Sequence, residues 1–176
     1  VTGVELQPQA CALFRRTAEE NGLQGRMHCL EGDLRQGLLP PGRFRLAVAN
    51  PPYFPPDAGA VAPDAARRTA RAETDCTLSQ LCAAAARALT WGGSFCLVHR
   101  PDRLADVLEE LRRVRLEPKR LRFVHHTAAA PPSLFLLEAR LGGGVGLTVE
   151  PPLLLHGPDG GETEDVRRAY FRDKEE

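Results

Sequence analysis

Neither sign of charge predominates in these 176 residues. Lys+Arg and Asp+Glu both number 23, so the formal net charge is zero. That excludes a uniformly basic nucleic-acid binder, and any nucleic-acid contact has to come from a local patch. No apolar run approaches the roughly 20 residues that span a bilayer, and no signal peptide is recognisable. No membrane partner is therefore expected, and the expected location is cytoplasmic. The five cysteines, at 11, 29, 76, 82 and 96, include no C-x-x-C pair. The five histidines show no H-x-x-x-H or H-x-H spacing, so no metal site is expected. The cysteines sit among apolar or small neighbours, as in Phe95-Cys96-Leu97, which predicts buried, reduced thiols.

What is present suits a packed domain: 43% hydrophobic and 26% charged residues. There is no internal repeat and no linker, so residues 1–176 are expected to form a single domain. The chain opens at Val1, without a methionine and inside a strand, which predicts an N-terminally truncated piece of a longer protein.

The pattern along the chain alternates strands and helices. Val1 to Leu6 reads as a short strand, Pro8 to Glu20 as a helix ended by Asn21-Gly22, and Arg26 to Leu30 as a second strand. Phe44 to Ala49 is a third strand, apolar enough for a sheet covered on both faces. Thr77-Leu78-Ser79-Gln80 is a capping box opening an Ala-rich helix to about Leu89, which Gly92-Gly93 stops. Ser94 to His99 is a fourth strand. Asp102 is expected to cap a helix whose Leu104, Val107, Leu108 and Leu111 share one face. Leu121 to His125 and Leu134 to Leu141 are two further strands. Val145 to Glu150 is expected to pair back, and a short charged helix follows near Glu164 to Arg172. The alternation predicts an α/β fold with a mostly parallel sheet and helices on both faces.

In such sheets ligands bind at the carboxyl ends of the strands. Glu5 ends the first strand, where an acid can accept from both hydroxyls of a ribose or simply face solvent. Asp33, in Glu31-Gly32-Asp33-Leu34, can accept from an adenine amine or serve as a turn or N-cap residue. Asn50-Pro51-Pro52-Tyr53 is the more specific signal. Two prolines after a buried strand hold the backbone extended and end the ladder. The Asn50 side-chain oxygen and the Pro51 carbonyl are then two acceptors for the two N–H donors of an exocyclic amine or amide. Tyr53 offers a ring on which a flat base can stack.

This combination resembles class I S-adenosylmethionine-dependent amino-methyltransferases, in particular the bacterial tRNA(Val) adenine-N6 methyltransferase group. The similar stretches are GVELQPQA (3–10), EGDL (31–34), VANPPYFP (48–55), LVHRPDRL (97–104) and EPKRLRFVH (117–125). The resemblance implies a Rossmann-like fold and an S-adenosylmethionine cofactor. It places Glu5 and Leu6 at the cofactor ribose, and Asp33 and Leu34 at the cofactor adenine. Asn50, Pro51, Pro52 and Tyr53 would hold the target amine, with Asn50 also facing the cofactor.

The pattern departs from the family in two places. The family's first strand and Gly-rich loop are absent, which predicts a gap or rearrangement in the sheet. After the substrate loop, Ala70-Arg71-Ala72-Glu73 lacks a histidine that the family commonly shows.

Arg67, Arg68 and Arg71 form a basic loop segment suited to RNA phosphates or simply to solvent. Arg112, Arg113, Arg115, Lys119, Arg120 and Arg122 form a second basic stretch. The expected function is methylation of an adenine amine in RNA, with tRNA as the partner. Two alternatives stay open: methylation of a protein glutamine amide, and a noncatalytic RNA- or partner-binding domain. An oligomer is compatible with the sequence.

Overall fold

A computed structural model describes residues 1–51 and 76–172. Strand β1 (Thr2–Glu5) leads into helix α1 (Pro8–Glu20), then β2 (His28–Glu31) and a 3-10 turn at Leu34–Gln36. Strand β3 (Phe44–Ala49) precedes α2 (Leu78–Ala88), β4 (Leu89–His99) and α3 (Leu104–Arg113). Strands β5 (Leu116–His125), β6 (Pro132–Leu141), β7 (Thr148–Val149) and β8 (Leu153–Leu154) follow, and then α4 (Glu164–Ala169).

The strands form two sheets, β1-β2 and a larger one ordered β3-β4-β6-β5-β7, with β8 also on β5. β1 and β2 run parallel, as do β3 and β4, while β7 and β8 each run parallel to β5. Among the described strands, only β6 runs against its neighbours, β4 and β5. The arrangement is therefore α/β with mostly parallel pairings, as the alternation predicted. Among the described residues no ladder joins β1-β2 to the larger sheet.

Helices α2 and α3 pack on each other and on one face of the larger sheet. That face supplies Phe95, Leu97, Phe135, Leu137 and Ala139, which meet Cys82, Val107 and Leu111 of the helices in one apolar cluster. Phe95, Phe135, Leu111 and Leu116 are fully buried. Strand alternation turns their neighbours to the opposite face. There Leu46 and Val48 are exposed, and Arg122 reaches Asp165 of α4.

Local chemistry explains most boundaries. Pro8 stands at the start of α1, where its missing N–H costs nothing, and Gly22 takes φ 66° just beyond its end. The capping box is complete: Thr77 Oγ1 accepts from Gln80 N–H at 3.2 Å, and Gln80 Oε1 accepts from Thr77 N–H at 2.9 Å.

Four expectations need correction. β2 starts at His28 because Arg26 and Met27 donate to the Leu23 carbonyl and close a turn first. β4 starts at Leu89, since Gly92-Gly93 does not stop the preceding helix but sits inside the strand. Gly92 has φ 79°, and a Cβ on Gly93 would lie 2.9 Å from the Thr90 oxygen, where the ladder to β3 shifts register. Asp102 does not cap α3; it pairs with Arg100 at 3.0 Å inside a 3-10 turn over Pro101–Arg103. β5 begins at Leu116, its Pro118 accommodated where the ladder to β6 shifts register.

Candidate active site

The carboxyl ends of β1, β2, β3 and β4 are Glu5, Glu31, Ala49 and His99. The polar residues singled out in the sequence stand at or just beyond these ends. The half-buried Glu5 carboxylate accepts from the Gln7 N–H through Oε1 at 2.9 Å, bracing the bend at Leu6 before α1. The Glu5 carbonyl accepts from Gly32 N–H at 2.9 Å, tying the exits of β1 and β2 together.

Asp33 is the N-cap of the 3-10 turn, its Oδ1 accepting from Arg35 N–H at 2.8 Å. The Arg35 guanidinium holds the same carboxylate, with Nε 2.8 Å from Oδ2 and Nη2 2.5 Å from it. These side-chain bonds, then the backbone bond, lower the Asp33 pKa. The contact is therefore fully present above the carboxyl group's unfolded value and is lost as pH falls through the lowered folded one. Arg35 was not legible as part of the site; its one signal is its place two residues after an N-cap aspartate. Leu34 is half-buried in the same turn.

The 3-10 turn packs on α2, and Arg87 of α2 donates to the Gly37 and Leu39 carbonyls. The Cys76 thiol, just before α2, is raised by burial first and by the Asp33 charge second. Asp33 is the N-cap of the same 3-10 turn that packs on α2.

Asn50 follows β3 directly and is exposed, and Pro51 after it is half-buried. Pro52, Tyr53, Arg67, Arg68 and Arg71 lie outside the described residues, as does Ala70-Arg71-Ala72-Glu73. His99, at the end of the neighbouring strand, is buried and accepts from Arg100 N–H through Nδ1 at 2.8 Å. Burial, and then Arg103, lower its pKa, which favours a neutral imidazole.

The second basic stretch is held within the fold. Arg112 pairs with Glu117, Arg113 with Glu109 and Glu110, Arg120 with Glu138 and Glu150, and Arg122 with Asp165. Lys119 donates to the Gly144 carbonyl. Arg115 lies 4.8 Å above the Trp91 ring, and a Cβ on Gly142 would come within 2.2 Å of that ring. Trp91 is nonetheless 67% exposed, so these contacts cover only part of its ring. His125 Nδ1 donates to the Ala130 carbonyl at 2.7 Å, and His126 stacks on His156. Among the described residues no cluster of three or more His, Cys, Asp or Glu could hold a metal, and no helix is long and apolar enough to cross a membrane.

Parallel strands with polar residues at their carboxyl ends and helices packed on the sheet define the class of this fold. It is the class I methyltransferase fold. A predicted O-methyltransferase from Agrobacterium tumefaciens matches it with a TM-score of 0.75 at 20% identity, over 94% of this chain and 74% of that one. A geranyl diphosphate C-methyltransferase from Streptomyces coelicolor A3(2), crystallised with S-adenosyl-L-homocysteine, matches with a TM-score of 0.57 at 13% identity, over 80% of this chain and 62% of that one.

In sequence the chain is similar to the tRNA1(Val) (adenine(37)-N6)-methyltransferase of Porphyromonas gingivalis, 31% identical over 144 residues. The match covers 80% of this chain and 56% of the relative. The enzyme of the same name from Yersinia pestis is 34% identical over 99 residues, covering 56% of this chain and 39% of the relative. The chain thus spans about half the length of the curated relatives it matches. No family model matches the chain.

Proposed function

We propose that the protein containing this chain transfers the methyl group of S-adenosylmethionine to the exocyclic amine of an adenine in RNA, with tRNA as the substrate. The observation that carries this reading is the placing of Glu5, Asp33 and Asn50 at the exits of β1, β2 and β3, where this class of sheet binds ligands. The likeness to tRNA adenine-N6 methyltransferases supports it.

S-adenosylmethionine, when bound, supplies an electrophilic methyl for in-line transfer. Glu5 suits the cofactor ribose: a carboxylate has about four lone-pair sites, and the Gln7 N–H occupies one of them. Asp33 suits the cofactor adenine amine, with Leu34 against the ring. Arg35 now holds both Asp33 oxygens, so cofactor binding has to share that carboxylate or displace the guanidinium. Asn50 and the Pro51 carbonyl accept the two N–H donors of the target amine, aiming its nitrogen at the methyl. Pro52 is assigned the task of stiffening the acceptor segment, through the fixed φ of its ring. Tyr53 stacks the unstacked base, a contact worth about 1–3 kcal/mol. Arg67, Arg68 and Arg71 contact phosphates. A loop nucleotide is the favoured target because unstacking it costs less than opening a duplex. Such a substrate places the protein in the cytoplasm.

Glutamine-amide methylation would use the same acceptor pair, and the sequence likeness outside that motif favours RNA over it. The test is to incubate the protein, expressed from its full reading frame, with unmodified tRNA and isotope-labelled S-adenosylmethionine. The tRNA is then digested to nucleosides for mass spectrometry. Labelled N6-methyladenosine is expected. Label appearing only on glutamine in a parallel incubation with release factors would overturn the RNA reading, and label in neither would favour a noncatalytic binder.

A further inference from the structure

We infer that Cys11 and Cys29 form an oxidisable dithiol, a reversible cross-link site built against the backbone that presents Glu5. Of the five cysteines, these two have sulfurs in contact with each other among the described residues, Sγ to Sγ at 3.0 Å. Cys11 lies in α1 and is fully buried, while Cys29 lies in β2 and is half-buried. A disulfide needs the sulfurs at about 2.05 Å, so closure requires an approach of only about 1 Å, within the reach of side-chain rotation. Cys82, by contrast, is buried in the main core, where burial pushes its thiol up to about 12.

The two thiols have distinct parts. Cys29 is reachable from solvent, and Arg15 lies beside it, its Nη2 3.3 Å from the Cys29 carbonyl. Cys11 has no exposure, and its thiol is pushed up to about 11, first by the hydrogen bond with Cys29 and then by burial. Cys29 is thus the sulfur that meets the oxidant, and Cys11 the one that resolves. With hydrogen peroxide as oxidant, the Cys29 thiol gives up its proton and its sulfur attacks one oxygen; the O–O bond breaks, and the leaving hydroxide takes up that proton, so that a sulfenic acid and one water form. The Cys11 sulfur then attacks the sulfenic sulfur. The S–S bond forms, the S–O bond breaks, and the oxygen leaves as a second water carrying the Cys11 proton. Two thiols and one peroxide become one disulfide and two waters. A dithiol reductant reverses the link by exchange.

The link has a consequence for the site. Cys11 Sγ donates to the Glu5 carbonyl at 3.6 Å, and that carbonyl also receives the Gly32 N–H between β1 and β2. Oxidation removes the Cys11 donor and draws α1 towards β2, displacing the bend at Glu5-Leu6. Coupling to cofactor affinity rests on the proposed role of Glu5; formation of the cross-link does not.

The test treats the protein with hydrogen peroxide under native conditions, alkylates the remaining thiols, and maps peptides without reduction. A Cys11–Cys29 cross-linked peptide is expected, with Cys76, Cys82 and Cys96 alkylated and all five alkylated after dithiothreitol. Cys29 recovered as sulfinic or sulfonic acid with Cys11 still alkylated, or all five thiols alkylated after peroxide, would overturn the dithiol. A second arm titrates S-adenosylmethionine into reduced and oxidised protein and into the Cys29→Ser variant. Oxidised wild type is expected to bind about tenfold or more weakly, the scale of one misplaced charged hydrogen bond, while peroxide leaves Cys29→Ser unchanged. Equal affinities with the disulfide present would overturn the coupling. No binding even when reduced would overturn the cofactor reading, with the peptide map still deciding the cross-link.

Discussion

Replacing Asn50 by alanine is expected to reduce methyl transfer to adenine by roughly two to three orders of magnitude, the loss typical when one aimed polar group leaves a reaction centre. Asn50 is the first residue beyond β3, whose pairing with β4 runs to Ala49 opposite Leu97. Its position is thus set by the end of the β3-β4 ladder, and Pro51 after it disfavours helical backbone at Asn50. The proposed task is to take one N–H of the target amine while the Pro51 carbonyl takes the other. Removing the side chain leaves the amine free to rotate and its lone pair undirected. Cofactor affinity should change much less than turnover, because Asn50 is assigned chiefly to the acceptor. Single-turnover rates beside cofactor titrations separate the two. A variant that turns over at the wild-type rate would remove Asn50 from the reaction.

Phe135→Ala is expected to destabilise the fold by about 3–5 kcal/mol, the range for emptying a buried aromatic site. Phe135 is fully buried in β6, opposite Phe123 of β5 and His99 of β4, with the His99 ring stacked 6.3 Å away. A loss of that size is a large share of the roughly 5–15 kcal/mol that holds an ordinary domain folded. The next residue supplies the control. Leu136 points to the other face and is 39% exposed, so Leu136→Ala should cost clearly less. Urea unfolding of both variants measures the difference. Equal midpoints would mean that the packed face has been assigned to the wrong side of β6.

Where apolar patterning and a cap agreed, the sequence was enough to fix an element to the residue. Pro8 to Glu20 and Phe44 to Ala49 are such cases, and the Thr77 capping box opens its helix as expected. The carboxyl-end residues followed from those boundaries, because a strand whose last residue is known also names the residue after it. Reading failed where one residue type serves two local ends. Gly92-Gly93 looks like a helix stop, yet it sits inside β4 at a register shift, where a Cβ on Gly93 would come too close to the strand's own Thr90 oxygen. Pro118 looks like a strand breaker, yet it sits where the ladder shifts register.

Partnerships across space were harder still. The basic stretch from Arg112 to Arg122 reads as a candidate RNA surface until its carboxylate partners on other elements, such as Glu138, Glu150 and Asp165, are known. The contact between Cys11 and Cys29 depends on how α1 lies on β2, which neither spacing nor composition encodes. Arg35 on Asp33 is a local contact, but an arginine two residues after an aspartate is too common to single out.

The central claim is that the exits of β1 and β2 form an S-adenosylmethionine site. It is tested most directly by calorimetric titration of S-adenosylmethionine into the protein expressed from its full reading frame, wild type beside Asp33→Ala. Saturable binding by the wild type is expected, with a loss of about tenfold to a hundredfold in the variant, the scale of one hydrogen bond to a charged group. Absence of binding by the wild type, or equal affinity in the two proteins, would contradict it.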